Sequence, residues 1–352
     1  MKSSGSGPVR VVVVEDSLVQ RAFLVRTLEA EGDIQVVGQA EGAVEAAALV
    51  ERLRPEVVTV DIHIPDGGGA HAIEQIMGNV PTPILVLSAS VENRQSVAAV
   101  EALVAGALDA LPKPRRWTAE HQALVRSRVR ALRDVTVVRH PRGRLRQSRT
   151  SCDEDHVQSA PRACASRVVG IAASTGGPPA LASVLGGLDG LHAPILVVQH
   201  LHPDFVDGLV QWMARVTRLD VQVATNREPA RPGVVYIGPG DVHLRLDADL
   251  RISLAPHPVC AHRPSADELL QSIAIHAGPS GIGVVLTGMG SDGAAGLLAL
   301  RRAGGSTLAQ DRESCAVYGM PRRSLELGAV DRTIPLAGIP RAILRAAAEV
   351  PV

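Results

Sequence analysis

Three residue types that together make a hydrolase stand at or just past the ends of apolar runs in the second half of the chain. Ser174 follows VVGIAA, His200 follows PILVVQ, and Asp292 follows GVVLTGMGS. A serine hydroxyl is a poor nucleophile at neutral pH, so it needs a base within hydrogen-bond reach and an acid that orients the base. His200 and Asp292 are the candidates for those two roles. Neighbouring parallel strands open their carboxyl ends onto one crevice, where residues far apart in sequence can meet.

Each run must therefore be a strand of one sheet. Arg167 to Ala172 reads as a short strand, and Ser174-Thr-Gly-Gly-Pro-Pro-Ala-Leu then starts a helix with prolines in its first turn, where a missing N–H costs little. Such a turn exposes the hydroxyl next to free N–H groups and the positive end of a helix. Thr175 and Met289, in the turn Gly288-Met289-Gly290, are the candidate backbone oxyanion donors. The chain order Ser, His, Asp and the missing GxSxG elbow exclude an α/β-hydrolase. Taken singly, each element has a plainer reading: a phosphate cradle at the Gly-rich turn, a metal ligand at His200-x-His202 that lacks a third partner, and a turn residue at Ser-Asp-Gly. Their coincidence favours the triad. His262 and Arg263 either line the same cleft or are structural.

The first half repeats a strand, acidic turn, helix pattern. Val9 to Val14 leads to Glu15 and Asp16, Glu56 to Val60 to Asp61, Pro83 to Leu87 to Ser88, and Ala107 to Leu111 to Pro112 and Lys113. Strands alternating with helices predict a right-handed, doubly wound parallel sheet of flavodoxin-like type. Glu15, Asp16 and Asp61 would cluster at one crevice, where three acids repel unless a cation joins them, and Mg2+ suits such hard oxygen ligands. Ser88 is placed to bond a phosphoryl oxygen and Lys113 to supply positive charge.

Length and composition bound the rest. The 352 residues favour two domains, and 46% hydrophobic residues with only 2% aromatics imply cores of Val, Leu, Ile and Ala, as in buried parallel strands. The 36 basic and 36 acidic residues cancel, which argues against nucleic-acid binding. Four cysteines without paired spacing suit a reducing cytosol. With no signal-like or membrane-length apolar run, a cytoplasmic location and no direct membrane insertion are expected. Between Arg126 and Arg167 periodicity fades through an Arg-rich stretch into HPRGRLRQSRTSCDEDHVQSAP, a charge-balanced tether. The resulting division is a flexible N-terminus over 1–8, a first domain over 9–129, a linker over 130–165 and a second α/β domain, again doubly wound and mostly parallel, over 166–352.

The acids, Ser88, Lys113 and the LPKP run, across about Val9 to Val129, resemble the receiver domain of two-component response regulators. That resemblance implies Asp61 as phosphoacceptor, Mg2+ for phosphorylation, a histidine-kinase phosphodonor and a cis turn at LPKP. The run after Asp61, Ile-His-Ile-Pro65-Asp-Gly-Gly68-Gly69, departs from the family, with Gly68 where a second acidic turn residue is usual. The motifs IAASTGGPPAL, VVQHLHPDF, RPGVVYIGPGDVHL, HRPSADELLQSIA, VVLTGMGSDGAAGL and AQDRESCAVYGMP resemble the chemotaxis protein-glutamate methylesterase family over almost all of Arg167 to Leu344. This implies a Ser174, His200, Asp292 triad that hydrolyses γ-glutamyl methyl esters, and in many members deamidates glutamine, on the cytoplasmic helices of methylated chemoreceptors, with the unphosphorylated receiver covering the cleft until phosphorylation of Asp61 loosens it. The esterase chemistry itself would use no cofactor. A non-catalytic adaptor whose receiver only controls docking is the competing expectation; it predicts no methanol release and no effect of Ser174→Ala on binding. A transcriptional regulator would need a recognition helix and a basic face, and neither is found.

Overall fold

The computed structural model describes residues 7–89, 93–114, 116–133, 135, 137, 167–260 and 262–349. The expected flexible segment 1–8 and tether 130–165 fall mostly outside these.

In the first half strands and helices alternate as β1 (Val9–Val14), α1 (Leu18–Glu29), β2 (Ile34–Ala40), α2 (Ala43–Leu53), β3 (Val57–Asp61), α3 (Gly68–Asn79), β4 (Ile84–Ala89), α4 (Asn93–Ala105), β5 (Asp109–Lys113) and α5 (Ala119–Arg133). The strands form one parallel sheet in the order β2-β1-β3-β4-β5. Val11 to Val14 and Val57 to Val60 are buried, because helices cover both faces and a valine-rich run is then the stable content. β2 is the strand that apolar runs do not announce. It is an edge strand, half exposed and interrupted by Gln35, Gly38 and Gln39.

The strand order reverses between β1 and β3, so Glu15 and Asp61 emerge side by side. The glycine-rich turn after Asp61 has a steric reason at Gly69: a Cβ there would lie 2.5 Å from the Asp61 carbonyl oxygen. One expectation is corrected. β5 stays extended with Pro112 opposite Ser88 and Lys113 opposite Ala89, and the cis bonds among the described residues are His257–Pro258 and Arg263–Pro264, not one in the LPKP run. The Arg-rich stretch is likewise more than a fading helix: Val125, Val129 and Leu132 of α5 are buried, and Arg126 is buried alongside them, paired with Glu31 at 2.8 Å.

The second half runs β6 (Val168–Ala173), α6 (Gly177–Leu185), β7 (Ile195–Gln199), α7 (Val206–Val216), β8 (Asp220–Val223), β9 (Val234–Ile237), a hairpin of β10 (His243–Leu246) and β11 (Ile252–Ala255), then α8 (Ala266–His276), β12 (Gly281–Val285), α9 (Ala294–Arg302), β13 (Ser306–Gln310), α10 (Met320–Glu326), β14 (Arg332–Ile334) and α11 (Ile339–Ala348). Seven parallel strands are ordered β14-β13-β12-β6-β7-β9-β8. β6 has β7 on one side and β12 on the other, so the reversal of strand order falls where Ser174, His200 and the segment leading to Asp292 leave the sheet. Among the described residues no helix is long and apolar enough to cross a membrane.

The two halves share apolar packing. Val100 of α4 lies in the cluster built by β6, α6, β7 and α7, while Phe205, just before α7, lies in the cluster built by β1, β3, β4 and α3. α4 rests on α7, with Arg215 and Glu101 3.5 Å apart at the edge.

Helix α8 approaches the sheet closely at Gly170, where a Cβ would sit 2.5 Å from Ile273 Cδ1 and 3.0 Å from Leu270 Cδ2. Gly170→Val should therefore push α8 outward and cost about 1 to 3 kcal/mol by overpacking. Urea unfolding checks this: a lower midpoint at unchanged slope is expected, and an unchanged midpoint would mean the helix is free to shift.

Candidate active site

The geometry at the second sheet's carboxyl edge starts from backbone. His200 N–H donates to Ala173 O at 3.0 Å and Ser174 N–H to Thr287 O at 3.0 Å, so the ends of β6, β7 and β12 are stitched together. Gly176, at φ 73°, turns the chain from Ser174 into α6, and its missing Cβ would lie 2.5 Å from Ala316. Gly288 closes the other side, since a Cβ there would meet Met320 Sδ at 2.3 Å and Ser174 Cβ at 2.7 Å. Ser174, Thr175, His200 and His262 line one pocket.

His200 Nε2 lies 2.8 Å from Asp292 Oδ2, with both side chains about one-tenth exposed. Asp292 also accepts from Ser265 Oγ at 2.8 Å, Ala266 N–H at 2.7 Å and Asp267 N–H at 3.0 Å, the first groups of α8. Burial pushes the Asp292 pKa up, but the hydrogen bond and charge of His200, with the N–H groups of Asp267 and Ala266, outweigh it and hold the carboxyl well below its ordinary range. An ionised carboxylate only accepts, so Nε2 carries the proton of this bond, and in the neutral ring Nδ1 is the unprotonated nitrogen. Nδ1 is buried and has no hydrogen-bond partner among the described residues, Ser174 included. Ser174 and His200 thus share the pocket without a hydrogen bond between them. The ring is turned relative to the chymotrypsin arrangement, where Nδ1 faces the acid.

The imidazole of His262 stacks on that of His200 with centroids 4.3 Å apart and planes 12° from parallel. Burial and then the neighbouring His200 charge lower the His262 pKa, favouring its neutral form. Arg263 lines the pocket as well. His202 accepts from Asp204 N–H at 3.3 Å through Nδ1, capping the turn Pro203–Phe205. Cys315 is buried, and desolvation pushes its thiol up to about 12, which keeps it inert core. The N–H groups of Thr175 and Met289 donate to no protein acceptor among the described residues. The Met289 side chain packs, with Ala316, against the first-half cluster of β1, α1 and α5.

Sequence reasoning missed Ser265 and the start of α8 as the anchor of Asp292. The signal was present as Ser265-Ala-Asp-Glu268, a capping pattern in which Ser265 Oγ accepts from Glu268 N–H at 3.5 Å. It also named none of the first-half residues that line the pocket: Leu108, Asp109, Leu111, Leu124 and Arg128. Asp109 is pushed toward its protonated form by burial, with Arg128 3.6 Å away opposing.

In the first half, Lys113 Nζ lies 2.5 Å from Glu15 Oε2 and 2.7 Å from Asp61 Oδ2, all three nearly buried. Burial raises the Glu15 pKa against the pull of Lys113. Glu15, Asp16 and Asp61 each offer an oxygen within 4.8 Å of the others, a set that fits a hard divalent cation. Ser88 Oγ is fully buried beside this edge of the sheet with no hydrogen-bond partner among the described residues. A buried hydroxyl without a partner is rare enough to require a reason.

Residues 11–124 match the response regulator receiver domain family and residues 169–343 the CheB methylesterase family. The chain is 46% identical to protein-glutamate methylesterase/protein-glutamine glutaminase 2 of Anaeromyxobacter dehalogenans, over 97% of this chain and 98% of that one. It is 37% identical to the protein of the same description from Pseudomonas aeruginosa, over 97% and 98%. The crystal structure of the Thermotoga maritima CheB methylesterase catalytic domain superposes with a TM-score of 0.50 at 36% identity, covering 51% of this chain and 98% of that one. The chain belongs to the CheB family of methylesterase/glutaminase enzymes, with a response-regulator receiver domain ahead of the catalytic domain.

Proposed function

We propose that this enzyme hydrolyses glutamate γ-methyl esters on chemoreceptor cytoplasmic helices, and deamidates glutamine there, with Ser174, His200 and Asp292, under control of phosphorylation at Asp61. The observation that carries the catalytic reading is the His200–Asp292 bond through Nε2, which leaves a basic Nδ1 in the pocket that Ser174 lines.

In this reading Ser174 Oγ attacks the side-chain carbonyl carbon while His200 Nδ1 takes its proton. The carbonyl oxygen becomes an oxyanion facing the free N–H groups of Thr175 and Met289. The imidazolium, stabilised by Asp292, hands its proton to the departing methoxy oxygen, releasing methanol, or to the amide nitrogen, releasing ammonia. Water then attacks the acyl-enzyme, giving its proton to His200, and the proton returns to Ser174 Oγ as glutamate leaves. An ester parts with its leaving group more easily than an amide does. No cofactor enters these steps.

The regulatory half of the proposal rests on the roof over the pocket. Leu108, Asp109 and Leu111 of the receiver lie over Ser174 and His200, so a receptor helix enters only when the receiver moves. The unmade Ser174–His200 hydrogen bond is the resting state of this covered site. Glu15, Asp16 and Asp61 would hold Mg2+, which neutralises charge during phosphoryl transfer to Asp61 from a histidine kinase. The new phosphoryl group brings about 1.5 to 2 negative charges, to which the unpartnered Ser88 hydroxyl and Lys113 can turn. Their movement is passed through β4, α4 and β5 to the interface with α7.

Methanol release from methylated receptor membranes tests the proposal. Ser174→Ala should abolish it with an unchanged melting curve, and a small-molecule phosphodonor with Mg2+ should raise it only when Asp61 is present. Release that persists in Ser174→Ala would discard the triad, and release indifferent to Asp61 would discard the switch. Phe205→Ala should raise unphosphorylated activity, within the roughly 5- to 150-fold range of ordinary allosteric coupling. A depressed carboxyl contributes stability that is full above its unfolded pKa, about 3.9, and is lost as pH falls toward the folded value. The melting-temperature gap between the wild-type protein and Asp292→Asn should accordingly be widest near neutral pH and close below about pH 4.

A further inference from the structure

We infer that Gln199 is a positioning residue for hydrolysis, holding the Thr175 N–H in its oxyanion-binding direction; the inference rests on the triad reading above. Gln199 ends β7 immediately before His200 and is buried. Its Nε2 donates to Ser174 O at 2.9 Å and to His200 O at 3.0 Å. Both partners are carbonyls, so only the amide NH2 can face them. One side chain thereby ties the backbone of the nucleophile to the backbone of the base.

The consequence lies in the Ser174–Thr175 peptide. A trans peptide is planar, and its N–H points opposite to its C=O. The Ser174 carbonyl is pinned from two sides, by Gln199 Nε2 and by Gly177 N–H at 2.7 Å, so the Thr175 N–H is fixed as well. Among the described residues that N–H has no acceptor, and Thr175 lines the pocket, which is what an oxyanion donor requires before substrate arrives. The other face of Thr175 is held separately, by Thr287 Oγ1 3.0 Å from the Thr175 carbonyl.

Gln199 is also retained at a cost. Its Oε1 is buried with no hydrogen-bond partner among the described residues, an arrangement that packing alone would not select. Gly177 makes room for it: a Cβ at position 177 would lie 1.9 Å from Oε1 and 2.8 Å from Cδ. The glycine at the start of α6 and the glutamine at the end of β7 thus form a matched pair around the nucleophile.

The test uses the full chain, activated by phosphodonor and Mg2+, acting on a methyl-ester receptor peptide, together with a boronate that forms a tetrahedral adduct on the catalytic serine. Gln199→Met keeps volume and removes the donor. Its kcat should fall roughly ten- to hundredfold with KM within about twofold of wild type, and boronate affinity should fall in parallel, because only transition-state contacts are lost. Gln199→Glu, which sets carboxylate against two carbonyls, should fall further. Gly177→Ala should mimic Gln199→Met, and Gly177→Ala with Gln199→Ala should be no worse than Gln199→Ala alone. Wild-type kcat in Gln199→Met, a loss confined to KM, unchanged boronate affinity, or additive losses for the pair would overturn the assignment. Turnover surviving in a Ser174→Ala control would overturn the triad reading itself, and this assignment with it.

Discussion

A carboxylate removed from water must be paired and fully hydrogen-bonded or it takes up a proton, and Asp292 is held charged by four donors. Three of them belong to Ser265 and the first turn of α8, where the unpaired N–H groups and the helix dipole favour an anion. The fourth is His200. The carboxylate therefore couples the position of α8 to the orientation of the imidazole, and α8 is in turn set by close packing at Gly170 and Gly296. Fixing which ring nitrogen carries the proton is the chemical result of this chain of contacts.

The receiver presents the same problem with a different solution. Glu15 and Asp61 are buried together, and Lys113 lies within ion-pair distance of both. Ser17 N–H and His63 N–H also donate to these two carboxylates, so a cation or a phosphoryl group arriving there would change a balance that Lys113 and the backbone maintain together. The two halves are joined by packed side chains: Val100 sits in the second half's apolar cluster and Phe205 in the first half's. Well-packed interfaces deform in steps rather than continuously, so an electrostatic change at one sheet edge can be read at another.

Much of this was legible in the residues. Valine-rich runs ending in Asp61, Ser174 and His200 carry both the parallel sheets and the crevices, because buried strands need apolar content and chemistry gathers at their carboxyl ends. β2 was not legible, since an exposed edge strand needs no unbroken apolar run. The orientation of the His200 ring depends on contacts from α8, which no local pattern states. Ser265 carried a capping signal that names a helix start but not the anion it holds. Phe205 and Val100 look like ordinary core residues in sequence; that each fills the other domain's core is a property of docking alone. Gln199 sits at the end of a strand whose burial is evident, whereas its two carbonyl partners are set by how β6 and β7 lie side by side.

The orientation of the His200 imidazole is the point on which the catalytic account turns. Nitrogen-15 chemical shifts of the histidine side chains in the resting full-length protein, with His200 identified by its loss in His200→Gln, measure it directly. The account predicts a protonated, pyrrole-type Nε2 hydrogen-bonded to Asp292 and an unprotonated, pyridine-type Nδ1. A protonated Nδ1 with a pyridine-type Nε2 would contradict it.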